Sequence, residues 1–176
     1  MRFFSGTAYF FKAFEEGCHH SKEEQFLFPA LVETGSPNEI SLVALMLTEH
    51  AEAHRLAQMM RQMTDKYMAG DLHARDHVVK NSMDFIQLQR KHIYKEEHYL
   101  YPVANKVIPP QQQQKLCETF SRVESADDGE ELHEKFRGLV ERLARECIRS
   151  ASAASMSPQL IIFLLGSVGL ILLSRG

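Results

Sequence analysis

Two stretches of this chain repeat one another without a gap: His19-His20-Ser21-Lys22-Glu23-Glu24-Gln25-Phe26-Leu27-Phe28-Pro29 returns as His92-Ile93-Tyr94-Lys95-Glu96-Glu97-His98-Tyr99-Leu100-Tyr101-Pro102. Each places a histidine and a glutamate at i and i+4, which a helix stacks on one face. Each also carries a proline ten residues after the histidine. Inside a helix, proline removes a hydrogen bond and crowds the carbonyl one turn back, costing roughly 3 kcal/mol. The same cost at the same offset in both stretches indicates a shared geometric role. Between them lies Glu49-His50-Ala51-Glu52-Ala53-His54, with two histidines one turn apart. Ile40, Val43, Leu47, His50, His54 and Ala57 recur at steps of three and four, so both imidazoles are expected on the stripe that faces a core. Imidazoles there must be paired or bound to something.

The surrounding pattern is helical throughout. Residues 3 to about 33 read as one long helix rich in phenylalanine, with Gly17 and Pro29 as weak points and Gly35 as its stop. Ser36-Pro37-Asn38-Glu39 is a helix start, with serine as cap, proline first in the helix and glutamate three after the cap. The second helix is expected to run to Gly70 past Met59, Met60, Met63 and Met68, which serve as adaptable core filler. A third follows Asp71 or Asp76 and continues to about Val107, with Phe85, Leu88, His92, Glu96, Tyr99 and Val103 as its stripe. Ile108-Pro109-Pro110 ends it. Residues 115–124 and 130–148 are also expected to be helical. No alternating strand pattern of useful length occurs, so the fold class is all-α, an antiparallel up-down helical bundle with an apolar C-terminal helix.

Composition narrows the partners. Net charge is −3 with no dense basic stripe, which excludes a nucleic-acid-binding role. Three cysteines, Cys18, Cys117 and Cys147, lie far apart without a CxxC pair, as expected of reduced thiols in the cytoplasm. Thiolate metal sites are thereby disfavoured. Residues 1–148 form the expected bundle and 149–156 a small-residue linker. An apolar tail follows at 157–174, uncharged and at the short edge of the roughly 20 residues a membrane span takes. It is a candidate membrane anchor for a bundle on the cytoplasmic side.

Three helices thus each present a pair at one-turn spacing: His19 with Glu23, His50 with His54, and His92 with Glu96. A single such pair is ordinarily a solvated helix contact. Three pairs on three helices, two with matching flanks, point instead to a metal site built between facing helices. Imidazole and carboxylate suit iron, zinc, copper or manganese, and the ligand count favours two ions over one. Adjacent residues compete for the same roles: His20 with His19, Glu24 with Glu23, and Glu97 with Glu96. The i, i+4 choices share a face and are preferred.

Taken together, Cys18 to Glu24 with Leu27-Phe28-Pro29-Ala30-Leu31, Leu47-Thr48-Glu49-His50, and His92 to Glu97 with Leu100-Tyr101-Pro102 resemble the hemerythrin HHE cation-binding family. The resemblance covers residues 3 to about 108. It implies a bundle holding a non-haem di-iron centre, with zinc or manganese as lesser alternatives, and dioxygen or another small diatomic molecule as its ligand. Carried over by motif, His19, Glu23, His50, His54, His92 and Glu96 are the expected metal ligands. The family pattern also has an earlier helix that donates a further histidine, and nothing before Arg2-Phe3-Phe4 matches it. A site one ligand short is therefore expected, with His133 the only obvious internal substitute. The resemblance leaves three roles open: a binder in oxygen, iron or redox handling; a di-iron oxidase or peroxidase; and a degenerate bundle acting as an interaction module.

Overall fold

The structure, a computed structural model, describes residues 19–126 and, beyond them, Gly138, Glu141, Arg142 and Arg145. The expected N-terminal part of the first helix, most of the 130–148 helix with His133, the linker 149–156 and the apolar stretch 157–174 lie outside the described residues. Within them the fold is four helices with no strand. Helix α1 covers residues 20–34 in three parts: α over His20–Lys22, π over Glu23–Leu27 and α over Phe28–Thr34. Helix α2 is Pro37–Met68. Helix α3 covers residues 74–107, α over Ala74–Lys95, π over Glu96–Leu100 and α over Tyr101–Val107. Helix α4 is Pro110–Ala126.

The first turn between helices is set by local chemistry. Gly35 donates its N–H to the Leu31 carbonyl at 2.7 Å, and a Cβ there would stand 2.5 Å from that same oxygen, so only glycine fits. Ser36 then caps α2 in a capping box, with the Glu39 carboxylate accepting from the Ser36 N–H at 2.7 Å. At the far end of α2, Gly70 takes φ +104, which side chains with a Cβ rarely adopt. Both connections are short, so consecutive helices return antiparallel. The contacts agree: His50 meets His92, whereas further along α2 Met60 meets Ser82, earlier on α3. Between α1 and α4, Phe26 lies beside Phe120 while Glu33 meets Gln112, again in opposite directions.

The π turns explain the repeated prolines. In each repeat a backbone N–H reaches back five residues: Phe28 to the Glu23 carbonyl, and Tyr101 to the Glu96 carbonyl. Such a turn inserts one extra residue into the helix, and the proline is the second residue of the α segment that follows, within the first turn where its missing N–H costs least. The extra residue also moves the buried face. Beyond His92, burial passes at steps of four through Glu96, Leu100, Ala104 and Ile108, and Glu23, Leu27 and Leu31 do the same in α1. Tyr99, which α-helical counting placed on the stripe, is 52 % exposed.

A second stripe also differs from its expectation. In α2 the buried positions are Val43, Met46, His50, Ala53, Ala57, Met60 and Thr64, with Leu56 beside them. The step after His50 is three residues, to Ala53, rather than four. His54 and Leu47 therefore fall on the flank, and both are exposed. The aliphatic core packs at one end of the helices, where Leu27, Phe28, Leu31, Val43, Met46, Leu100 and Ile108 meet. Towards the other end Ala53, Leu56, Ala57 and Met60 of α2 are buried, as are Ala74, Val78, Phe85 and Ile86 of α3. Between these two apolar zones the seam is polar.

Candidate metal centre

That polar layer contains five buried side chains that bear metal-ligand atoms: His20 and Glu23 from α1, His50 from α2, and His92 and Glu96 from α3. Their atoms converge. His50 Nε2 is 3.1 Å from His92 Nε2 and 3.4 Å from Glu23 Oε2, and His92 Nε2 is 2.8 Å from Glu96 Oε1. One ligand atom each from Glu23, His50, His92 and Glu96 fits within 4.8 Å, as does one each from His20, His50 and His92. The His20 ring stacks on that of His50, with centroids 3.7 Å apart and 8° between planes. Phe28 covers His50 at 5.5 Å.

The far sides of the two central imidazoles are held by carboxylates. His50 Nδ1 meets Glu24 Oε1 at 2.7 Å, and His92 Nδ1 meets Glu49 Oε2 at 3.0 Å. A carboxylate at Nδ1 holds a proton there, which leaves Nε2 to face the cluster and to offer a lone pair to a cation once the ring is neutral. Tyr101 donates its hydroxyl to Glu23 Oε1 at 2.9 Å, while the other oxygen of Glu23 faces the cluster. Glu23 Oε2 and Glu96 Oε1 are both fully buried and have no hydrogen-bond partner of proper geometry. A buried acceptor left this way costs about 1–3 kcal/mol, and more when charged. Lone pairs of nitrogen and oxygen packed together repel unless a proton or a cation lies among them. The donor set, its burial and its orphaned oxygens fit a metal ion bound by imidazole and carboxylate.

Of the expected ligands, the structure brings Glu23, His50, His92 and Glu96 together in the seam. His19 stands at the margin, its side chain 31 % exposed and its Nε2 3.7 Å from Glu96 Oε1 and 3.9 Å from Glu23 Oε2. Its neighbour His20 is the more deeply placed of the two, and the i, i+4 rule did not select it because its buried partner Glu23 lies three residues on. His54 is not drawn in, for the stripe passes through Ala53 instead. The glutamate doublets also resolve: Glu23 faces inward and Glu24 orients His50, while Glu96 faces inward and Glu97 is exposed. Glu49 escaped sequence reasoning as an orienting residue, although the signal was present in its adjacency to His50.

Electrostatics in the cluster follow from burial. Desolvation, helped by the neighbouring imidazoles His50, His19 and His92, pushes the His20 pKa down to about 2. Burial also opposes charge on His92, but the Glu96 carboxylate 2.8 Å from its Nε2, with help from Glu49 and Glu23, outweighs it and raises its pKa to about 9. For Glu96, burial works upward and is overcome by His19 and His92, which hold the carboxyl far below its ordinary range.

These shifts have opposite signs in stability. A histidine raised above its ordinary 6.5 stabilises the fold fully below that pH and loses its contribution as pH climbs to about 9. A histidine lowered to about 2 costs stability as pH falls below 6.5, because the unfolded chain takes up the proton first. The chelated, metal-free protein is therefore expected to lose stability from pH 6.5 to 9, and His92→Gln to flatten that slope. Urea midpoints measured across this range check it, and an unchanged slope in His92→Gln would refute the assignment.

Comparison with known proteins places this geometry. The model of the hemerythrin HHE cation-binding domain matches residues 4–104, more than half of the chain. Uncharacterized proteins of Mycobacterium tuberculosis and Mycobacterium bovis are 26 % identical over 138 residues, covering 78 % of this chain and 52 % of theirs. The chain thus spans about half the length of the curated relatives it matches. No solved structure matches it. The match runs through both repeats and the histidine helix between them, and the chain belongs to the hemerythrin HHE cation-binding domain family.

Proposed function

We propose that this chain holds a pair of non-haem iron ions and binds dioxygen or another small diatomic molecule there, in the service of oxygen, iron or redox handling. The observation that carries this reading is the buried convergence of His50 Nε2, His92 Nε2, Glu23 Oε2 and Glu96 Oε1, with both oxygens lacking hydrogen-bond partners. The family is a cation-binding one. Imidazole and carboxylate also accept zinc or manganese, which metal analysis distinguishes.

In this proposal His20, His50, His92, Glu23 and Glu96 hold the metal and His19 completes the set from the margin. His54 is left out because it faces away from the seam. Bound iron would supply an open coordination position for the diatomic ligand. The protein's part is to orient and to exclude water. Glu24 and Glu49 fix the imidazole faces, Tyr101 fixes Glu23, and Phe28 with Leu27 and Leu100 walls one side of the polar layer. The half-exposed His19 marks the side from which a small ligand reaches the two carboxylates.

We place the bundle in the cytoplasm and treat 157–174 as its membrane anchor. Among the described residues no helix is long and apolar enough to cross a membrane. Deleting residues 157–176 should release the protein from the membrane fraction of lysed cells, and unchanged fractionation would remove the anchor. Metal content tests the main reading. Anaerobically purified full chain should carry close to two irons, and His50→Ala or His92→Ala should lose most of them. His54→Ala should retain its iron. Equal loss in His54→Ala and His50→Ala would overturn the revised ligand set, and a wild-type chain without metal would overturn the proposal. Visible bands that appear in air and fade on deoxygenation would mark reversible oxygen binding, whereas turnover of peroxide would favour the enzyme.

A further inference from the structure

A chain of contacts leads from the centre to the protein surface. His92 turns Nε2 into the cluster and gives Nδ1 to Glu49 Oε2 at 3.0 Å; Glu49 Oε1 in turn accepts from Lys95 Nζ at 2.5 Å. Exposure rises along it, with side chains 2 % exposed at His92, 13 % at Glu49 and 24 % at Lys95. The chain crosses between helices, because Glu49 belongs to α2 while His92 and Lys95 belong to α3. His50 is held differently: its orienting carboxylate, Glu24, is 43 % exposed. The two central imidazoles therefore have carboxylates in different settings.

We propose that Lys95 is a positioning residue that sets the donor strength of His92 through Glu49, making the two metal-facing histidines electronically unequal. The physical argument is one of shared charge. A carboxylate behind a metal-bound imidazole raises the basicity of the ring by pulling on the Nδ1 proton. An ammonium 2.5 Å from the same carboxylate competes for its electron density and weakens that pull. Within a partly buried site such competition is screened less than at the open surface. Lys95 thus holds His92 as a weaker donor than an unshared Glu49 would make it. This inference rests on the metal-centre reading given above.

The test uses full-length protein loaded with zinc, which is diamagnetic and leaves the Nδ1 proton of His92 observable by NMR. Zinc affinity is measured alongside by competition with a chromophoric chelator. In Lys95→Met, the His92 Nδ1 proton should move downfield and zinc should be held several-fold more tightly. Lys95→Gln should show the same signs. Glu49→Gln should move the proton upfield and weaken zinc binding by about 10–100-fold, the range for lost outer partners of a ligating histidine. On the Glu49→Gln background, Lys95→Met should no longer matter, which separates a relay from the general effect of removing a positive charge. A salt bridge that served only to join α2 and α3 would give the opposite result, with weaker zinc binding and lower stability in Lys95→Met. That result, or an effect of Lys95→Met undiminished without Glu49, would overturn the inference. Failure of the wild-type chain to take up zinc or iron would overturn the metal reading itself and this inference with it.

Discussion

Lone pairs turned toward one another in a place water does not reach are the constraint on which the rest of this structure depends. Two imidazole nitrogens and two carboxylate oxygens converge within 4.8 Å in the seam between three helices. They repel wherever no proton or cation lies among them, and both inward oxygens are buried without hydrogen-bond partners of proper geometry. Apolar layers on either side, with Leu27, Leu31 and Leu100 at one end and Leu56, Met60 and Phe85 at the other, supply burial that can offset this cost. A bound cation would convert the repulsion into attraction. A stability that depends on a ligand in this way couples folding to metal uptake.

The backbone meets the constraint with one device used twice. A π turn beginning at Glu23 and another beginning at Glu96 each insert one residue, so that the glutamate and the leucine four residues later both face inward. The neighbouring residues of the sequence then take complementary parts. Glu23 faces the cluster while Glu24 holds His50; His50 faces it while Glu49 holds His92. Helices α1 and α2 therefore each supply an inward group and, from the adjacent position, the support for the next helix's imidazole. Removing one side chain disturbs two helices, a reason for such sites to be positioned more precisely than their individual hydrogen bonds suggest.

Much of this was legible in the sequence. The capping box at Ser36, the all-α class, the limits of α2 and α3 to within a few residues, and the convergence of His50 with the two repeats follow from periodicity, caps and motif spacing. Two features were not. The choice of His54 rested on continuing a stripe by four where the helix continues it by three, to Ala53; on a stripe wide enough to include both steps, spacing alone does not decide. The choice of His19 over His20 rested on i, i+4 spacing to Glu23 where the buried pair is i, i+3, and that of Tyr99 assumed 3.6 residues per turn across the π turn at Glu96–Leu100. The repeated prolines signalled that something unusual lay upstream of them, but not its sense. Glu24 and Glu49 were visible as neighbours of expected ligands, and only tertiary contact shows that they serve a different helix.

The central claim is that the atoms converging between α1, α2 and α3 bind metal. Diffraction from crystals of the iron-loaded protein, measured above and below the iron absorption edge, tests it most directly. Anomalous density is expected in the seam, within bonding distance of His50 Nε2, His92 Nε2 and the inward oxygens of Glu23 and Glu96. Iron found elsewhere, with these four side chains closed on one another in the same crystal, would contradict it.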